Sequence, residues 1–99
     1  MQLTDKQLRF LRGRAHALKP VIQIGNGGLS PGVLGETRRA LTDHELIKLR
    51  IQATDRAARD ALLAQVVQET GSALVTRIGH VAVLFKQNEK LTRIPLPDA

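Results

Sequence analysis

The chain has no cysteine, no tryptophan and no tyrosine, and only two phenylalanines among its 99 residues. Without cysteine it can form neither a disulfide nor a thiolate metal site. Without aromatic faces it cannot build the stacking platforms on which RRM and OB-type surfaces hold bases. Long apolar runs are missing too: no stretch approaches the roughly 18 residues a membrane span needs. The opening MQLTDKQLRFLRGR is charged from Asp5 onward, unlike a signal peptide. Together these absences predict one small cytoplasmic domain with no membrane segment. Acidic residues are also scarce. Nine Asp and Glu face fifteen Lys and Arg, a formal charge of +6. An excess of that size suits a polyanion, and with so few aromatics the grip should fall on its backbone.

The polar–apolar pattern is regular. Thr4 and Gln7 have the spacing of a capping box, with Asp5 in the first turn. Leu8, Leu11, Ala15 and Leu18 then recur at helical spacing, predicting a first helix over 5–17. Pro20 ends that register and opens a strand over 21–24. A second helix is expected over 31–42, burying Val33, Leu34, Thr37, Ala40 and Leu41. Alternation in 46–51 reads as a strand whose wet face carries Lys48 and Arg50. Asp55 should cap a third helix over 56–69, with Ala58, Ala61, Leu62 and Val66 inward and Gly71 past its end. Strands over 73–78 and 81–86 meet at Gly79-His80 as a tight hairpin, and 87–99 reads as a loosely held tail. The order α-β-α-β-α-β-β defines a two-layer α/β domain, three helices on a four-stranded mixed sheet. It has no internal repeat.

One stretch stands apart. VIQIGNGGLSPGVL passes from a buried strand through three glycines in four residues to a helix start, with Ser30 as N-cap and Pro31 at the first helical position. Glycines at a helix N-terminus let a phosphate approach backbone N–H groups at the positive end of the dipole. A Walker A loop is excluded, because Val33 and Leu34 stand where Lys and Ser/Thr are required. The dinucleotide fingerprint fails at Ser30, where Gly or Ala is needed. Read as G-x-x-G, Gly25-Asn26-Gly27-Gly28 matches the loop with which KH domains clamp a nucleic-acid backbone.

Lys6, Arg9, Arg12 and His16 fall on one side of the first helix, and Lys19 extends the positive strip toward the loop. Phe10 lies off the apolar stripe and either packs against a neighbouring loop or stacks on a base. His16, His44 and His80 have no metal-ligand spacing. Ser30 and Ser72 are better explained as a cap and a turn residue than as nucleophiles, so no catalytic constellation emerges and no cofactor is implied.

These residues have a familiar combination. AHALKPVIQIGNGGLSPGVL followed by ALTDHELIKLRI, with Glu69-Thr70-Gly71 and Ile78-Gly79 further on, resembles the CRM domain, the YhbY-like family of small RNA-binding proteins, over residues 2–97. The resemblance implies a fold similar to the C-terminal domain of translation initiation factor three. It implies a GxxG loop at residues 25–28. Stand-alone bacterial members are associated with precursors of the large ribosomal subunit and look like assembly factors, whereas plant organellar relatives assist intron splicing. Many members carry Lys or Arg at one variable loop position; here Asn26 and Gly27 are neutral, which shifts weight to Lys19 and the first helix.

The expectation is therefore a monomeric, non-enzymatic domain that binds precursor ribosomal RNA. Its site residues are Gly25, Asn26, Gly27, Gly28 and Ser30 with Lys6, Arg9, Arg12 and Lys19. The alternative is a basic adaptor docking on ribosomal proteins or a GTPase. A small-molecule nucleotide binder is a third reading, which would show saturable binding of free nucleotide.

Overall fold

The computed structural model describes residues 2–25, 27–53 and 55–98. Its elements are α1 (Asp5–Ala15), β1 (Pro20–Ile24), α2 (Pro31–His44), β2 (Leu46–Ile51), α3 (Arg56–Thr70), β3 (Ala73–Ile78) and β4 (Val81–Phe85). This is the expected order. The helix starts are fixed by side chains. The Gln7 N–H donates to Thr4 Oγ1 and the Thr4 N–H to Gln7 Oε1, both at 3.1 Å, completing the capping box. Asp55 Oδ1 accepts from the Ala58 N–H at 2.7 Å, and α3 stops at Gly71, whose φ of 69° suits a residue without Cβ. The first helix ends two residues short of the expected 17, because the Leu18 N–H closes a turn onto Ala15 O at 3.0 Å. The second runs two residues beyond its expected end, to His44.

The strands lie in the order β1-β2-β4-β3. β1 pairs parallel with β2, and β4 runs antiparallel to both β2 and β3. A right-handed crossover through α2 is the ordinary way to join parallel neighbours such as β1 and β2. Alternation then divides the side chains between two cores. Ile22, Ile24, Ile47, Leu49, Ile51, Ala82 and Leu84 face Leu41 of α2 and Leu63 and Val66 of α3. Leu46, Val83 and Phe85 point the other way, against Leu11 and Ala15 of α1. Helices therefore occupy both faces, and α1 adds a partial third layer to the expected two. The face that carries Lys48 is dry where α1 covers it and open beyond.

Two expectations about packing change. In α3 the inward stripe is Leu63, Val66 and Thr70, while Ala61 is exposed. Val66 is buried as expected and Leu62 packs against the core, but small alanines on several sides blurred the periodicity, and Leu63 rather than Ala61 turns inward. The tail is not loose. Ile94 is buried with the α1 core, and Gln7 Nε2 donates to Pro97 O at 3.0 Å.

The anchor of that tail is Glu45, a carboxylate buried between α2 and β2. Its Oε1 accepts the N–H groups of Arg93 at 2.7 Å and Ile94 at 2.6 Å, and its Oε2 accepts that of Asn88 at 2.6 Å. A buried carboxylate is tolerated when such donors replace water. Glu45 is also the one described non-glycine residue at positive φ, 63° with ψ −45°. That conformation is costly for a residue with a Cβ. It turns the chain from α2 directly into β2.

Candidate nucleic-acid interface

The glycine loop follows the last residue of β1. The Gly28 N–H donates to Gly25 O at 3.1 Å, closing a four-residue turn over residues 25–28. Asn26 lies outside the described residues. Gly28 has φ +82°, so the backbone itself calls for glycine there. Gly25 and Gly27 are different. Their φ values are not in the left-handed range, and a Cβ added at either would meet nothing within 4 Å. Among the described residues nothing explains glycine at these two positions. What the missing side chains leave is bare backbone open to an approaching partner.

Ser30 performs the role its sequence position implies: its Oγ accepts the Val33 N–H at 3.1 Å. The Leu34 N–H goes to Ser30 O at 3.0 Å and Pro31 has no N–H, so Gly32 carries the donor of the first turn that the helix leaves unused. The helix terminus thus offers one backbone donor and the positive end of its dipole, fewer N–H groups than the loop sequence alone suggests.

Three contacts bring other segments to the same end of the sheet. The Gln52 N–H donates to Ile24 O at 2.8 Å and the Ile51 N–H to His80 O at 2.7 Å, while the His80 ring Nδ1 lies 3.1 Å from Ile51 O. The ends of β1 and β2 and the β3–β4 turn are therefore neighbours. Register places Gln23 beside Arg50 and Arg50 beside Val81, on the face opposite the α2/α3 core. Arg50 is exposed and Lys48 half-buried. Lys48 lines a shallow cavity of about 200 Å³ together with Arg12 of α1, His16 just past that helix, and Ile78 and Val81 of the hairpin. Arg9 and Lys6 continue along α1 from Arg12 at successive three-residue steps and are exposed. A basic strip accordingly runs from Lys6, Arg9 and Arg12 through Lys48 to Arg50, two register positions from the glycine loop.

Lys19 lies at the far end of β1 from the loop. It precedes β1 whereas Gly25 follows it, a separation of roughly 15–20 Å along an extended strand. Its cavity is on the other flank of the α1 C-terminus, with Arg14 and Arg93. Phe10 packs at the margin of the α1 core, and the Arg14 guanidinium sits 5.8 Å from its ring centroid. Lys48 and Arg50 were legible as a wet strand face, but their place beside α1 and the β3–β4 turn was not. Only the position of α1 against that face sets Lys48 next to Arg12. Among the described residues no group of three or more His, Cys, Asp or Glu could hold a metal ion. No helix among them is long and apolar enough to cross a membrane.

Fold and site define a small α/β module with an elongated basic face ending at a glycine turn. The family model of the CRS1 / YhbY (CRM) domain matches residues 3–86. The chain belongs to that family. It is 43% identical over 95 residues to a Haemophilus influenzae protein named RNA-binding protein, covering 96% of this chain and 95% of that one. A Pseudomonas aeruginosa protein named "Probable RNA-binding protein" is 41% identical over 90 residues, 91% of this chain and 86% of its own length. The solution structure of a Staphylococcus aureus protein superposes with a TM-score of 0.82 at 32% identity, covering 97% of this chain and all of the other.

Proposed function

We propose that residues 2–97 form a non-enzymatic, cytoplasmic RNA-binding domain that grips precursor large-subunit ribosomal RNA as a monomeric ribosome-assembly factor. The observation that carries this reading is the join between the basic strip and the glycine turn. Lys6, Arg9, Arg12, Lys48 and Arg50 supply cations at intervals along one face, and the strip ends where backbone is bare for lack of internal need. Such a face reads charge and shape, since it carries no aromatic platform. The names of the relatives support RNA as the partner class.

If the five cations each meet a phosphate, log K falls against log salt with a slope of roughly −3.5 to −4.5. Fluorescence anisotropy on a ribosomal RNA fragment across a salt series measures it, and a slope near zero refutes the electrostatic grip. The target is tested by crosslinking protein to RNA in cells. Reads concentrated on large-subunit RNA are expected. Association with ribosomal particles that survives RNase, without such reads, would replace this reading with that of a basic protein–protein adaptor.

A further inference from the structure

A second basic cavity lies on the opposite flank of the α1 C-terminus from Arg12. It measures about 500 Å³, is open to solvent, and is bordered by the turn after α1, the start of β1, the last turn of α2 and the tail. Cavities that hold small organic ligands are commonly about 300–1,000 Å³. Four cations line it, Arg14, Lys19, Lys48 and Arg93, against one carboxylate, Asp43. None of the four forms an ion pair among the described residues. Its floor is aliphatic, with Leu18, Leu46 and Ile94 among its lining.

The wall on the β1 side is unusual. The β1–β2 register slips between Pro20 and Ile22, leaving Val21 as the extra residue of a bulge on an edge strand. Bulges of this kind re-aim a side chain and recur beside binding sites. Here the result is a valine 56% exposed at the cavity wall. Arg14, which also lines the cavity, sits over the Phe10 ring at 5.8 Å from its centroid. Guanidinium planes of this sort stack on unpaired bases. The Arg93 backbone is anchored beside the wall by its N–H, which donates to the buried Glu45. An apolar floor, a positioned guanidinium and uncompensated cations together match one ligand class: a nucleotide, with its base on the aliphatic surface and its phosphate among Lys19, Lys48 and Arg93.

We propose that this cavity takes a single unpaired nucleotide of the bound RNA, a subsite separate from the glycine turn; the source of the nucleotide rests on the RNA-binding reading, and the cavity chemistry does not. Because Lys48 lines both cavities, a strand leaving the subsite would reach the strip without crossing a neutral surface. The test has two arms. In the first, adenosine 5′-monophosphate is titrated into the isotope-labelled protein and backbone amides are followed by NMR. Saturable shifts at Leu18, Lys19, Val21, His44 and Ile94 are expected, with affinity reduced about tenfold or more by Arg14→Ala with Arg93→Ala. Gly27→Asp leaves those shifts in place. Unsaturable shifts, shifts centred on the loop, or the same response to inorganic phosphate alone overturns the proposal. In the second arm, a hairpin with one unpaired nucleotide is expected to bind about tenfold tighter than its fully paired counterpart. The double variant abolishes that preference, and Gly27→Asp weakens both hairpins alike. A protein that binds the mononucleotide at the cavity but no RNA at all would refute the RNA reading alone. Equal affinity for the two hairpins overturns the subsite.

Discussion

Combining Gly27→Asp with Arg50→Glu is expected to lower RNA affinity by about 100-fold or more while leaving the thermal midpoint within about 2 °C of the parent protein. The reasoning starts from what each side chain touches. Gly27 is exposed, its added Cβ meets no protein atom within 4 Å, and its φ is ordinary, so an aspartate there fits the fold. It does place a carboxylate where the proposed phosphate would approach. Arg50 is exposed on the open sheet face, pairs in register with Gln23 and Val81, and forms no ion pair among the described residues. Reversing its charge removes one phosphate contact and adds a repulsion beside the first. Filter binding on a ribosomal RNA fragment, paired with a thermal melt, reads both quantities. Full affinity in the double variant would exclude the glycine end of the face as a site. A collapsed melting point would mean instead that the turn is structural. Gly28 is unsuitable for the same test, because its φ of +82° makes any side chain a source of strain.

The contrast between Gly27 and Gly28 also marks what a sequence can carry. Three glycines in four residues signalled a turn, and nothing in the letters distinguished the one required by backbone geometry from the two that are not. Element order was legible because its signals are local: a capping box at Thr4, an N-cap serine before Pro31, a capping aspartate, and Gly71 and Gly79 at their turns. Long-range facts were harder to read. That α1 lies on the face opposite α2 and α3 depends on sheet order, and from it follow the position of Lys48 between two cavities and the distance of Lys19 from the loop. Lys6, Arg9 and Arg12 are exposed on α1, and the next cations toward the loop lie on β2 instead of along β1. Alternation could say that Lys48 and Arg50 share a face; only packing says what else shares it.

Glu45 is the residue whose importance was least legible, and its loss should have the largest effect on stability. Written as a charged residue between a helix and a strand, it looks like a solvated junction. In the fold it is fully buried and holds three tail N–H groups at 2.6 to 2.7 Å. Hydrogen bonds to a charged partner contribute roughly 1.5–3 kcal/mol each, and part of that returns when a released tail meets water. Glu45→Ala is therefore expected to destabilise the domain by about 3 kcal/mol, lowering the melting temperature by roughly 12–24 °C. Two further variants separate the causes. Glu45→Gly loses the same acceptors but relieves the backbone at φ 63°, so it should be about 1 kcal/mol more stable than Glu45→Ala. Glu45→Gln keeps one acceptor oxygen for Arg93 and Ile94 and turns an NH2 group toward the Asn88 N–H, which places its stability between alanine and the parent. Urea denaturation gives the order. Hydrogen exchange at Asn88, Arg93 and Ile94 should accelerate in all three variants before any global unfolding, because the tail detaches first. If Glu45→Ala unfolds within about 0.5 kcal/mol of the parent, the tail is held by its other contacts, such as Ile94, Leu96 and Pro97, and the carboxylate is incidental. If the expected order appears, one buried side chain sets the α2–β2 junction, closes the α1 core through Ile94, and fixes Arg93 at the rim of the second basic cavity.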